Sequence, residues 1–104
     1  MTKPRQSLRN PDRPSTHPGA ILRDIVLAEG KPTKGAFAAA LGISRQMLHG
    51  LLTEKHDVTP EMAVRLAHVL GSRAEFWLSM QRARDLWHAE RRVDLRNLTV
   101  LRPA

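Results

Sequence analysis

Between Thr33 and Leu52 the chain has room for two short helices joined by a three-residue turn, and its small, apolar and hydroxyl residues leave little else for it to form. Thr33 is placed to cap a helix from Lys34 to Leu41, whose inward residues are Phe37, Ala38 and Leu41. Gly42 ends that helix, as a residue free to take the left-handed conformation. Ser44 then caps a second helix running to about Leu52, with Leu48, Leu51 and Leu52 turned inward. Ala38 must be small where the helices cross, and Ile43, Leu48 and Leu51 wedge the second helix against the first.

Several independent requirements are met within this stretch, and together they describe a helix-turn-helix. When the second helix of such a pair enters a major groove, its first turn faces base edges and the helix N-termini face phosphates. Arg45 and Gln46 are therefore the candidate base readers, because Arg chelates guanine O6/N7 and Gln chelates adenine N6/N7; His49, one turn on, is the next. Thr33, Lys34, Ser44 and Lys55 are the candidate phosphate contacts. Thr33 and Ser44 serve as helix caps with or without DNA, and exposed lysines need no ligand. Gly50 is a poor helix former in the middle of the reading helix. Either it lets the backbone approach the duplex, or it narrows base reading to its neighbours.

The rest of the chain also reads as helical. From Pro18 the residues Ile21, Leu22, Ile25 and Val26 form a stripe that stops near Gly30. "TPEMAVRLAHVLG" supplies Thr59 as cap, Pro60 at the first position, Gly71 at the stop and a buried face of Met62, Ala63, Leu66, Ala67 and Leu70. A fifth helix over about 73–91 opens with Ser72 and Glu75 in capping-box spacing. Along it Phe76, Met80, Ala83 and Trp87 recur at the spacing of a dimer seam, and Trp77 is placed to close the core. The alternative for that helix is simply to cover its own domain. The expected fold is all-α, with five helices over 17–92; residues 93–104 form a tail in which Leu98 to Leu101 is a possible short strand.

Residues 1–16 hold three prolines, Lys3, Arg5, Arg9 and Arg13 against the single acid Asp12, and read as a flexible basic arm. DNA phosphates, a protein partner, or nothing at all are equally open as its target. The chain of 104 residues suits one small domain, and its net charge of +7 favours a polyanionic partner. With no cysteine, disulfides, thiolate zinc sites and cysteine nucleophiles are excluded. The histidines His17, His56, His68 and His88 show no metal-ligand spacing, and no nucleophile elbow or phosphate loop is present, so neither a cofactor nor an enzyme is expected. No membrane span or export signal is legible, and the cytoplasm is the expected location.

The stretch from His17 to Arg91 resembles the HigA/VapI antitoxin family, a branch of the lambda-repressor-like (Cro/C1, or XRE) helix-turn-helix proteins. "HPGAILRD", "FAAALGISRQMLHGLL", "VTPEMAVRLAHVLG" and "EFWLSMQRARDLW" carry the resemblance, the first and last being specific to the branch. It implies a five-helix DNA-binding homodimer that neutralises a HigB-type (RelE-like) mRNA-cleaving toxin and represses their shared operon. Two departures stand out: the loop after the reading helix is Thr53-Glu54-Lys55 where the family usually has Asn-Gly-Lys, and Gly50 replaces a larger residue. A stand-alone repressor would use the same helix pair. A small RNA-cleaving enzyme is disfavoured by the helical pattern.

Overall fold

The computed structural model describes residues 12–102. Five helical segments follow one another: α1 (Pro18–Ile21), prolonged by a π-helical turn over Leu22–Val26, then α2 (Lys34–Leu41), α3 (Arg45–Leu52), α4 (Pro60–Leu70) and α5 (Ala74–Arg92). The core gathers one face of each: Leu22, Phe37, Ala38, Leu41, Leu48, Leu51, Leu52, Val58, Met62, Ala63, Leu66 and Trp77 are all buried. Trp77 closes it from α5, with its indole Nε1 donating to Ser72 Oγ at 2.9 Å.

The helix starts follow their capping chemistry. Thr33, Ser44 and Thr59 each hold extended backbone and accept, through the side-chain oxygen, from the amide three residues on. Gly42 takes φ 71° at the end of α2, and Gly71 takes φ 66° at the end of α4. Arg65 of α4 reaches back to donate to the Leu41 carbonyl at 2.7 Å, occupying one of the acceptors that the end of α2 leaves open.

Four expectations need correction. The first helix is not one regular stripe: after four α-helical residues it loosens into a π turn, closed by Leu27 N–H to Leu22 O at 3.0 Å. That extra residue per turn swings Ile25 out of the stripe, leaving it 67% exposed. Ser72 and Glu75 make no capping box, because the Ser72 hydroxyl is taken by Trp77 and α5 begins after Arg73 without a side-chain cap. Leu98 to Leu101 forms no strand, and among the described residues there is none; this segment lies exposed. The expectation of a free arm through residue 16 fails at its far end: residues 1–11 lie outside the described residues, but Ser15 is buried and its carbonyl accepts from Arg84 of α5 at 2.9 Å.

The "HPG" sequence before α1 is a packing device. His17 is buried, and its Nδ1 accepts from the Gly19 amide at 2.8 Å, so an imidazole does the work usually given to Ser or Asp at a helix start. Pro18 fills the first helical position. Gly19 lies against the backbone of α3, where a Cβ would overlap the Leu51 carbonyl oxygen. Burial pushes the His17 imidazole pKa down from its ordinary value, with Arg84 acting in the same direction and Glu54, Asp57 and the His56 backbone opposing.

Candidate nucleic-acid interface

The first turns of α2 and α3 come together on one side of the molecule. The Arg45 guanidinium, at the start of α3, lies over Gly35 in the first turn of α2; a Cβ there would fall 2.5 Å from Arg45 Nη2. Thr33 Oγ1 accepts from Ala36 N–H at 3.1 Å and Ser44 Oγ from Met47 N–H at 3.0 Å. Each hydroxyl keeps its own proton for an external acceptor. Thr33, Lys34, Ser44, Arg45, Gln46 and His49 are all exposed, while Leu48, Leu51 and Leu52 on the same helix are buried. Polar side chains and two capped helix N-termini thus share one surface, which suits a polyanion.

Lys55 sits in the loop after α3, and the geometry of that loop was not legible in the sequence. Glu54 takes the left-handed conformation, φ 64°, at the position where a glycine would be unstrained. Its N–H donates to Leu51 O at 3.1 Å, and Lys55 N–H donates to Gly50 O at 2.8 Å, the paired closure of a Schellman motif. The carboxylate of Glu54 is gripped from two sides, by Arg23 at 3.3 Å and Arg84 at 3.4 Å. Arg23 also donates to Leu52 O at 2.9 Å, which fixes the last turn of α3. Deeper in the loop, buried Gln81 of α5 accepts from Val58 N–H at 2.8 Å and donates to Asp57 and Asp85 at 3.1 and 2.9 Å.

This closure changes the reading of Gly50. The residue is neither bare nor open to solvent: the chain returns so that the His56 ring covers it, and a Cβ at Gly50 would overlap that imidazole. The ring stands where a close approach of the Gly50 backbone to a duplex would need open space. In the sequence His56 has no metal-ligand spacing, and no local signal links it to a residue six positions earlier.

On α5, Phe76, Met80, Ala83 and Trp87 lie along one side of the helix, as their spacing requires. Phe76 is exposed and stands edge-on to Trp77 at 4.9 Å, Met80 leans on the core, and the Arg91 guanidinium stacks over Trp87 at 3.6 Å. Among the described residues, no cluster of acidic or histidine side chains is arranged to hold a metal ion, and no helix is long and apolar enough to cross a membrane.

A family model described as "Helix-turn-helix" matches residues 33–77, the segment from the α2 cap to the start of α5. The chain is 34% identical over 92 residues to virulence-associated protein I of Dichelobacter nodosus, spanning 88% of this chain and 83% of that one. The chain belongs to the XRE-type helix-turn-helix family, whose members include HigA antitoxins. Among solved structures it is similar to antitoxin GraA in complex with its operator, at 40% identity and a TM-score of 0.71, covering 83% of this chain and 86% of that one. It is likewise similar to Pseudomonas aeruginosa antitoxin HigA with the higBA promoter, at 30% identity and a TM-score of 0.68, covering 84% and 100%. The helix pair α2–α3 fills the first half of the matched segment.

Proposed function

We propose that this protein is a DNA-binding antitoxin and autorepressor, reading its operator with α3 and neutralising a HigB-type (RelE-like) mRNA-cleaving toxin encoded beside it. The observation that carries the DNA reading is the convergence of the two capped helix starts, with Arg45 lying over Gly35 and Gln46 and His49 exposed beside it. Arg45, Gln46 and His49 are assigned to base edges, and Thr33, Lys34, Ser44 and Lys55 to phosphates. The solved relatives bound to operator and promoter DNA support a DNA-binding role, and the family names support the toxin.

Two copies would pair through the side of α5 that carries Phe76, Met80, Ala83 and Trp87. A two-fold seam there would set the reading helices about 34 Å apart, the repeat of successive major-groove faces. The competing reading, a stand-alone repressor, has the same DNA chemistry and is favoured by relatives named only as transcriptional regulators.

Both halves are testable. Arg45→Ala or Gln46→Ala is expected to cost roughly 1–3 kcal/mol on the operator and little on random DNA, whereas Lys34→Ala weakens both alike and flattens the salt dependence by about one unit. Titration by fluorescence anisotropy at several salt concentrations separates the two patterns; equal losses for Arg45→Ala on both DNAs would refute base reading. For the toxin, the neighbouring short reading frame is expressed alone and together with this chain. Growth arrest that this protein relieves is expected; a harmless neighbour would leave the repressor without an antitoxin role.

A further inference from the structure

We propose that His56 is a specificity-determining residue of the DNA interface, supplying from the loop the base contact that Gly50 lacks. The proposal rests on the DNA-reading role of α3 proposed above. Gln46 and Gly50 are four residues apart on α3, so they lie one above the other on the same face. Gln46 is exposed on that face. At Gly50 the space that a side chain would fill is taken by the His56 ring, whose Cδ2, Nε2 and Cγ are the atoms nearest to where a Cβ would stand. The Cδ2–Nε2 edge therefore rests on the helix, and the opposite edge, with Nδ1, lies farther out.

The ring is held there by backbone. Both Lys55 N–H and His56 N–H donate to the Gly50 carbonyl, at 2.8 and 3.0 Å, so the imidazole enters from a closed turn. That turn is clamped through Glu54 by Arg23 and Arg84, and through Asp57 and Val58 by Gln81. His56 itself is exposed. It costs little further entropy to present a ring already seated on the reading helix. Its ligand is an acceptor edge in the major groove, such as guanine N7/O6 or thymine O4, with the imidazole as donor. Glycine at position 50 is then the condition for this contact, because any side chain there would displace the ring.

The test uses the full chain and a duplex that the wild-type protein selects from a randomised pool. Affinities of wild type, His56→Ala, His56→Asn, Gly50→Ala and Gln46→Ala are measured on this duplex, on its single-base-pair variants and on random-sequence DNA, with thermal unfolding as the fold control. His56→Ala is expected to lose about 5- to 100-fold on the selected duplex and almost nothing on random DNA, with preference relaxed at one base pair. That pair should be distinct from the one relaxed by Gln46→Ala. Gly50→Ala, which keeps the imidazole but evicts it, should relax the same pair as His56→Ala, and His56→Asn should retain part of the preference. Unchanged preference at every pair in His56→Ala, or equal loss on both DNAs, would overturn the proposal while leaving α3 as the reading helix. Failure of the wild-type protein to select any sequence would overturn both.

Discussion

The two ends of α3 are held by different physics. At its N-terminus a single local contact, Ser44 Oγ to Met47 N–H, sets the start of the helix, and the exposed side chains beyond it are free for a ligand. At its C-terminus nothing local suffices. Glu54 sits in a strained backbone conformation, the Gly50 carbonyl is met by two amides, the His56 ring folds back from the loop, and four side chains from distant segments converge: Arg23, His17, Gln81 and Arg84. A strained αL residue of this kind persists only where its surroundings over-determine it. One end thus leaves its side chains exposed, and the other ties α3 to α1 and α5.

This contrast predicts an order of effects. Gln81→Ala should be the most damaging, because it strips the buried Val58 N–H of its acceptor and Asp57 of its donor; about 1–3 kcal/mol of stability is expected to be lost in denaturant unfolding. A neutral result would mean that water replaces the amide and that the clasp is not the anchor. Ser44→Ala should cost about 1 kcal/mol, the usual value of a lost N-cap. Were it to exceed Gln81→Ala in the same assay, the local end of α3 would be the more heavily loaded one.

The smallest effect is a pH slope confined to the clasped end. His17 is buried beside that end, with its pKa pushed down by desolvation. Between the ordinary value of 6.5 and its depressed value in the fold, the unfolded chain binds the proton and the folded chain does not. Its contribution to stability is therefore complete above 6.5 and is lost as pH falls through that value towards the lower one. His17→Asn, which keeps a capping oxygen but does not titrate, should show a shallower decline of Tm on acidification than wild type. Parallel declines in the two proteins would assign the slope to other groups.

Much of the fold was legible because it is written in local rules. Thr33, Ser44 and Thr59 cap the amides they were placed to cap, Gly42 and Gly71 end helices with positive φ, and the leucines of α3 are buried. Pattern misled where a local option lost to a tertiary one. Ser72 Oγ accepts from the Trp77 indole N–H instead of joining a capping box, and Ile25 was turned outward by a π turn that helical spacing does not reveal. The family-like "HPG" was readable as a signature but not as a mechanism, since the demand for glycine at position 19 comes from the carbonyl of Leu51, thirty-two residues away.

By itself, the sequence determined an all-α helix-turn-helix chain with Arg45, Gln46 and His49 on the outer face of α3, because periodicity, capping and turn residues act within a few positions of one another. What covers Gly50, why Glu54 tolerates a left-handed backbone and how Gln81 and Arg84 brace the loop were decided only by the tertiary structure. Those contacts join residues separated by up to about thirty positions or by an irregular turn, and no periodic signal survives across such a gap.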